Sequence, residues 1–344
     1  MDTDSSKIII GGGKSSRYEF IDIAKVICIF LMVWGHGNLA GGNITRWIYS
    51  FHMPLFFVLS GFLYKPRHFK EQTKKDFNSL MVPYYLINLI CLIPSVAIMI
   101  YKNYDISYLA YRIGAIFLGL GYKAGNFQPV CSPMWFIVCL FIMRCTISII
   151  YRNISNLSIS VITMLSVFIT LLLDKFSIDI LIPIDTMVAC LPFFFLGFVL
   201  KRYWDDITRK FCNWTYFLVS ILGLISCIIL SNINGLVDVD YMSFGKNLGL
   251  FYITAISGSI FVLSFSKFIE GSSSVIHVIS DGTLLIVGFN LWLIILFKHS
   301  IKFIVPGLSI TPIIGFAITL TIIILFYFLI LLVKQYFPII IGKR

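Results

Sequence analysis

The chain has 344 residues, of which 58% are hydrophobic and only 12% are charged, and its mean hydropathy is +0.93. Repeated runs of about 20 apolar residues exclude a soluble globular domain and predict an all-α, polytopic integral membrane protein. The net charge of +11 would suit a nucleic-acid-binding protein, but most basic residues fall in short loops between apolar runs, so no nucleic acid is expected as a partner.

The apolar runs predict about ten transmembrane helices within one membrane domain, residues 19–340, preceded by a polar N-terminal tail, residues 1–18. The predicted spans are residues 19–40, 46–64, 80–101, 133–151, 157–173, 183–201, 213–232, 248–268, 279–297 and 310–333. About two thirds of the 27 lysines and arginines lie on the side that also holds both ends of the chain. The positive-inside rule therefore predicts that both termini are cytoplasmic and that the protein is a multi-pass protein of the plasma membrane.

The first predicted span carries three residues that a bilayer tolerates poorly, namely Asp22, Lys25 and His36. Lys25 and His36 are eleven residues apart, which leaves them within about 20° of one line along an α-helix, and Asp22 lies about 40° from that line. Asp22 and Lys25 are also neighbours at i,i+3 and can form an ion pair. The spacing thus predicts one polar stripe along this helix.

The second predicted span places His52, Phe56 and Ser60 on one face at i,i+4 spacing. Because only residues 40–45 connect the two spans, the helices form an antiparallel hairpin, and His36 and His52 can meet across it. A single histidine near a helix end more often makes an interfacial hydrogen bond than it catalyses a reaction. The combination of acid, base and two imidazoles instead indicates a buried path for proton transfer.

The loop that follows the second span, KPRHFKEQTKKDF, is strongly basic. It is either an orientation signal that contacts acidic lipid head groups or a rim that binds an anion at the cytoplasmic mouth. The cysteines are scattered and form neither a CxxC pair nor a Cys/His cluster, so no metal site is expected.

The sequence RYEFIDIAKVICIFLMVWGHG followed by IYSFHMPLFFVLSGFLYK resembles the opening of the acyltransferase 3 family, which are multi-spanning membrane O-acyltransferases of surface glycans. Lys25 and His36 match the basic residue and the histidine that this family separates by ten residues. Further similarity lies in PYY at residues 83–85, SPMWFIVCLF at residues 132–141 and LPFFFLGFVLKR at residues 191–202.

Two departures from the family pattern affect the expected site. The chain has NSLMV where members often carry a further basic residue before the proline of the third helix. The late Ser/Thr-x-x-x-Tyr-x-x-His pattern keeps Thr283, but Val287 and Asn290 stand at the tyrosine and histidine positions. His36 and His52 are therefore the expected catalytic residues.

The resemblance implies that acetyl-CoA or a similar acyl-CoA donates an acyl group to a hydroxyl of a surface glycan or lipid-linked saccharide. His36 would act as the general base, with His52 orienting it, binding the oxyanion or relaying the acyl group, and with Asp22 holding the inner half of the channel. The expected donor-binding residues are Lys25, Lys65, Arg67, Lys74, Lys75, Trp135 and Arg144. A proton-coupled exporter of saccharides or small molecules, or an inactive partner or sensor, remains open as an alternative.

Overall fold

A computed structural model describes residues 17–120, 132–150, 155–178, 180 and 182–343. This part of the chain consists of helices joined by mostly short connections and contains no β-strand, which confirms the predicted all-α class. A helix satisfies its backbone hydrogen bonds within one segment, as a chain inside lipid must do. All but the last two residues of the predicted polar tail lie outside the described residues.

The described helices follow one another without a second domain between them. They are α1 Glu19–Gly35, α2 Gly42–Tyr49, α3 His52–Leu63, α4 Phe69–Asp76, α5 Val82–Tyr101, α6 Ile106–Leu118, α7 Trp135–Ile150, α8 Asn156–Lys175, α9 Ile184–Arg202, α10 Trp204–Lys210, α11 Asn213–Asn234, α12 Leu248–Phe268, α13 Ser274–Asp281, α14 Thr283–Ile304 and α15 Pro312–Tyr336. A π-helical turn, Phe77–Met81, joins α4 to α5.

Several helices begin where the sequence supplies a side chain that accepts a hydrogen bond from the first turn. These caps are Asp105 for α6, Ser155 for α8, Asn247 for α12 and Thr311 for α15. Such a cap satisfies one of the amide groups that have no partner within the helix. The polar loops between the apolar runs thus fix where the long helices start.

Eight described helical segments are long and apolar enough to cross a membrane, which makes this a multi-pass membrane protein. They are Glu19–Asn38, Phe69–Tyr101, Asn156–Lys175, Ile184–Arg202, Asn213–Asn234, Leu248–Phe268, Thr283–Ile304 and Pro312–Tyr336. The predicted number of ten requires two shorter helices as well, α3 with 12 residues and α7 with 16. That number stays a prediction, as does the cytoplasmic placement of both termini.

The second predicted span, residues 46–64, is divided in the structure into α2 and α3. The division falls at Ser50 and Phe51, where the Phe51 backbone leaves the helical region at φ −143°. Pro54 follows in the first turn of α3, where its missing amide hydrogen has no helical acceptor in any case. The break lets His52 begin a new helix instead of lying inside a continuous one.

Helix α3 packs backbone to backbone against α9 through two glycines. A Cβ atom added at Gly61 would lie 1.9 Å from the Phe194 carbonyl oxygen, and one added at Gly197 would lie 1.9 Å from the Val58 carbonyl oxygen. Small residues allow membrane helices to approach this closely. The helix that carries His52 is therefore fixed on one side by a helix from the middle of the chain.

The two ends of the helical bundle differ in chemistry. We call the end where α1 finishes and α3 begins the histidine end, because it holds His36 and His52. We call the opposite end the basic end, because α4 and the start of α1 lie there with most of the predicted cytoplasmic lysines and arginines. The lysine and arginine distribution predicts that the basic end faces the cytoplasm.

Candidate active site

His36 projects from the end of α1, and the sequence explains why the helix stops there. Its own amide still bonds to the carbonyl oxygens of Met32 and Val33, but Gly37 and Asn38 then adopt left-handed conformations with φ 59° and 56°. Gly37 also contacts α14 closely, since a Cβ atom there would lie 2.6 Å from Ile294 Cγ2. Only glycine combines this backbone conformation with so little space, and the turn it makes holds His36 beside α14.

Asn290 on α14 orients the imidazole of His36. Asn290 Oδ1 lies 2.9 Å from His36 Nδ1. The amide orientation is determined by its other end, because Asn290 Nδ2 donates to the carbonyl oxygens of Ile286 at 3.0 Å and Val287 at 2.7 Å. An amide oxygen can only accept, so Nδ1 of His36 carries the proton. The second nitrogen, Nε2, is then the basic one.

His52 is held in the same tautomer by a different partner. Its Nδ1 lies 2.9 Å from the carbonyl oxygen of Ile48 in the last turn of α2. A carbonyl oxygen cannot donate, so Nδ1 of His52 also carries the proton and its Nε2 is basic. The break between α2 and α3 therefore creates the hydrogen bond that fixes this imidazole.

Both histidines line one cavity of about 290 Å³, here called the histidine cavity. The ring of Tyr49 lies in contact with both imidazoles, with ring centroids 6.3 Å from His36 and 5.0 Å from His52. The lining residues are Met32, His36, Gly37, Tyr49, His52, Met53, Phe56, Pro133, Trp135, Phe136, Asp238, Val239, Asp240, Tyr241, Val287 and Leu291. The two histidines thus share one space, as the hairpin spacing predicts.

A second cavity of about 300 Å³, here called the basic cavity, lies towards the basic end of the same helices. It is lined by Lys25, Phe56, Leu59, Ser60, Leu63, Leu80, Phe136, Ile137, Leu140, Arg144, Ser280, Asp281, Thr283 and Leu284. Phe56 and Phe136 line both cavities, with ring centroids 5.6 Å apart. The two cavities therefore lie back to back, separated by a pair of aromatic rings.

The predicted face of α3 runs along both cavities. His52 lines the histidine cavity, Ser60 lines the basic cavity and Phe56 lines both. On α1, His36 and Lys25 divide in the same way between the two cavities. The polar stripe predicted from the helical period thus follows one continuous line of cavities.

Asp22 lies apart from the histidines and does not line either cavity. Its carboxylate accepts hydrogen bonds from Arg17 and Ser280, and Lys25 Nζ lies 3.8 Å from Asp22 Oδ1, as the i,i+3 spacing predicts. Fourteen residues of helix, about 21 Å, separate it from His36. Asp22 anchors the basic end and is not in a position to touch the reacting groups at His36.

Arg144 lines the basic cavity, where its buried position requires an anion. Asp76, which is fully buried, supplies that anion, with Arg144 Nη2 3.0 Å from Asp76 Oδ1. The guanidinium also lies 5.5 Å from the centre of the Tyr64 ring. Pairing and aromatic contact together lower the cost of keeping a charge at this depth.

The remaining predicted donor-binding residues divide between the two ends of the site. Lys65, Arg67, Lys74 and Lys75 are exposed at the basic end, and Lys75 is close enough to Lys65, Arg67 and Arg144 for mutual repulsion. Trp135 is different, because it lines the histidine cavity and not the basic cavity. The donor-binding role predicted for Trp135 at the basic mouth is therefore not matched by its position.

An ion-pair network closes the basic end around Asp281. Asp281 Oδ2 accepts from Lys334 Nζ at 2.7 Å and from Lys343 Nζ at 2.6 Å, and Arg17 Nη2 lies 3.3 Å from its Oδ1. Burial raises the pKa of this carboxyl, but the two lysines outweigh it and hold the pKa at about 2. Among the described residues, Glu19, Asp22 and His277 also bring metal-ligand atoms within 4.8 Å of one another, although His277 already contacts Glu19 and Arg17 contacts Asp22.

The sequence analysis missed three polar residues of the histidine cavity and its surroundings. Asn290 was noted only as a departure from a motif, although its spacing from Thr283 places it two turns along the same helix. Asp238 and Asp240 lie in a short loop between two spans, where the VDVD pattern was the available signal. Their contacts join segments of the chain about 200 or more residues apart, which no local pattern predicts.

Comparison with known proteins assigns a family to most of the chain. The sequence matches the acyltransferase 3 family, described as an acyltransferase domain, over residues 18–340. Searches of curated proteins and of solved structures find no match.

Proposed function

This chain belongs to the acyltransferase 3 family, and from that membership we infer that it transfers an acetyl or similar small acyl group from acyl-CoA to a hydroxyl of a surface glycan or lipid-linked saccharide. The observation that carries this proposal is the pair of cavities that share Phe56 and Phe136. One cavity has a basic mouth suited to an anionic donor, and the other holds two basic imidazole nitrogens. Family membership favours this reaction over the exporter alternative.

The donor enters from the basic end. Coenzyme A carries several phosphate groups, which lysine and arginine bind by charge-assisted hydrogen bonds. Lys25 and Arg144 line the basic cavity, and four further basic residues surround its mouth: Lys65, Arg67, Lys74 and Lys75. The nucleotide is bound at this mouth, and the thin pantetheine arm carries the thioester between Phe56 and Phe136 into the histidine cavity. The protein lies in the plasma membrane with this end in the cytoplasm.

The acyl transfer takes place at His36. The acceptor hydroxyl oxygen attacks the thioester carbonyl, and His36 Nε2 takes the hydroxyl proton as the C–O bond forms. The C–S bond then breaks, and the proton passes from His36 to the departing thiolate, which leaves as free thiol. A positioned general base contributes about 10²–10⁴ to a rate. Asn290 keeps His36 in the tautomer that this step needs.

His52 has a narrower range of roles than the sequence suggests. Its Nδ1–H is already bonded to the Ile48 carbonyl oxygen, so neutral His52 has no second N–H with which to stabilise an oxyanion. It therefore acts as a second base, or as a donor only after it takes up a proton on Nε2. Proton exchange between His36 and His52 across the cavity is the role that fits this tautomer.

The test is acyl transfer by the purified protein with radiolabelled acetyl-CoA and saccharides released from its host's cell surface. We expect free thiol and a labelled saccharide, and we expect His36→Ala to lower the rate by about 10²–10⁴. His299→Ala is the matched control, since His299 is exposed and lines neither cavity. Wild-type rates in the His36→Ala variant, or no thiol release by the wild-type protein, would contradict the proposal.

A further inference from the structure

The connection between α11 and α12, residues 235–247, forms a fixed wall of the histidine cavity. Asp238 and Ser243 exchange two backbone hydrogen bonds of 2.8 and 2.9 Å. Asn234 fastens the connection at its base, because its Nδ2 donates to the Phe244 carbonyl oxygen at 2.8 Å and its Oδ1 accepts from the Asn247 amide at 3.0 Å. The connection is thus a folded hairpin, here called the acidic hairpin, and not a loose loop.

The packing of the acidic hairpin also holds it against the bundle. Its apolar side chains point into the protein, and those that are buried are Val237, Val239, Met242 and Phe244. Gly245 packs on Asn234 in a left-handed conformation with φ 77°. Because the apolar residues alternate with Asp238 and Asp240, burying the former fixes the position of the latter. Both carboxylate-bearing residues line the histidine cavity.

The two aspartates give the cavity wall a negative character. Asp240 is only 3% exposed, and burial raises the pKa of Asp238 although the amides of Asp240 and Tyr241 bond to it. No lysine or arginine is present among the described residues that line this cavity. The nearest contact with a cation is at the rim, where Lys298 Nζ donates to the Gly37 carbonyl oxygen at 3.0 Å.

Carboxylates can only accept hydrogen bonds unless protonated, so they bind groups that donate. Hydroxyl and ammonium groups donate, whereas a carboxylate or phosphate on the acceptor would face a wall of its own charge in a partly water-excluded space. We propose that Asp238 and Asp240 form the acceptor subsite and select a neutral or amino-bearing polyol over one that carries an acidic group near the acylated hydroxyl. This inference rests on the proposed function and names the substrate class of the same site.

The test compares three methyl glycosides of similar size: methyl β-glucoside, methyl 2-amino-2-deoxy-β-glucoside and methyl β-glucuronide. Binding to the full-length protein in nanodiscs is measured at neutral pH by ligand-observed NMR titration, and acylation by acetyl-CoA is measured by mass spectrometry. We expect the amino sugar to bind tightest and the glucuronide at least about tenfold more weakly. We also expect the double variant Asp238→Asn, Asp240→Asn to reduce that difference to less than about threefold.

Asp206→Asn is the matched control, because Asp206 is an exposed aspartate that pairs with Arg209 at the other end of the bundle. It should keep the wild-type order. Equal binding of glucuronide and amino sugar by the wild-type protein would overturn the subsite without any variant, and so would an unchanged preference in the folded double variant. Loss of thiol release with the binding order intact would instead reject the acyltransferase reaction and leave the subsite standing.

Discussion

At the scale of single residues, the reactivity of His36 depends on one amide from a distant helix. Asn290 is fully buried and makes three hydrogen bonds, one to the imidazole and two to backbone carbonyl oxygens. The two backbone bonds prevent the amide from rotating, so the imidazole receives an acceptor and not a donor. The residue that departs from the family pattern is thus the one that sets the tautomer of the base.

Replacing Asn290 by leucine should lower the rate of acyl transfer by about tenfold or more, as part of the contribution of a positioned general base. The reason is that Nδ1–H of His36 loses its acceptor and the two tautomers are no longer distinguished. Asn290→His, which restores the family residue, should retain most of the activity because imidazole also accepts a hydrogen bond. The measurement is the turnover rate with acetyl-CoA, whose KM should stay the same in both variants.

Wild-type turnover in a folded Asn290→Leu variant would show that His36 does not need this orientation. A fall in turnover together with a matching loss of thermal stability would instead assign Asn290 a purely structural role. Asn290→His separates these cases, since a larger side chain that preserves the rate argues for the hydrogen bond and not for the packing.

At the scale of elements, the position of α3 is set by its glycine contact with α9. His52, Phe56 and Ser60 all depend on that position, because they lie along one face of a helix only 12 residues long. The opposite face meets α9 at Gly61 and Gly197, with backbone on both sides of the contact. Backbone atoms cannot move aside as a flexible side chain can, so added volume must displace the helix.

Gly197→Ala should therefore lower the free energy of unfolding by about 1–3 kcal/mol and lower the turnover rate as well. The expected sequence of events is that α3 moves away from α9 and takes His52 and Phe56 with it. Thermal unfolding in detergent and turnover with acetyl-CoA are the two measurements. Gly114→Ala is the control, since a Cβ atom there meets nothing within 4 Å; equal effects of the two substitutions would contradict this account.

The sequence predicted most helices to within a few residues, because long apolar runs and polar caps mark their limits locally. It failed at residues 46–64, which it treated as one span. The break at Phe51 is stabilised by the bond from His52 to Ile48 and by packing, neither of which changes the apolar pattern. Among the site residues, His36, His52 and Lys25 follow from helical spacing, whereas Asn290 and the acidic hairpin come from contacts between distant segments.

At the scale of the whole molecule, Asp281 joins parts of the chain that are remote in sequence. Arg17 precedes α1, Lys334 ends α15 and Lys343 lies near the last residue, and all three converge on this carboxylate. The network also covers the basic cavity, which Asp281 lines. The bundle is therefore closed at its basic end by ion pairs instead of by a long loop.

Asp281→Asn should lower the free energy of unfolding at neutral pH by about 1–2 kcal/mol, a value between those of exposed and buried ion pairs. The folded pKa of about 2 is below the unfolded value of about 3.9. The stabilisation is thus present above pH 4 and is lost as the pH falls from about 4 to 2. Thermal unfolding against pH should show this loss in the wild type and in Asp206→Asn, but not in Asp281→Asn; a loss that persists in Asp281→Asn would assign it to other groups.

The most direct measurement of the central claim, that one passage joins the basic cavity to the histidine cavity, uses sealed vesicles containing the protein. Radiolabelled acetyl-CoA is added outside only, and methyl 2-amino-2-deoxy-β-glucoside is present on both sides. If the donor enters at the basic end and the acceptor at the histidine end, free thiol appears outside and the labelled glycoside is trapped inside. Labelled glycoside found only in the compartment that holds acetyl-CoA would contradict the account.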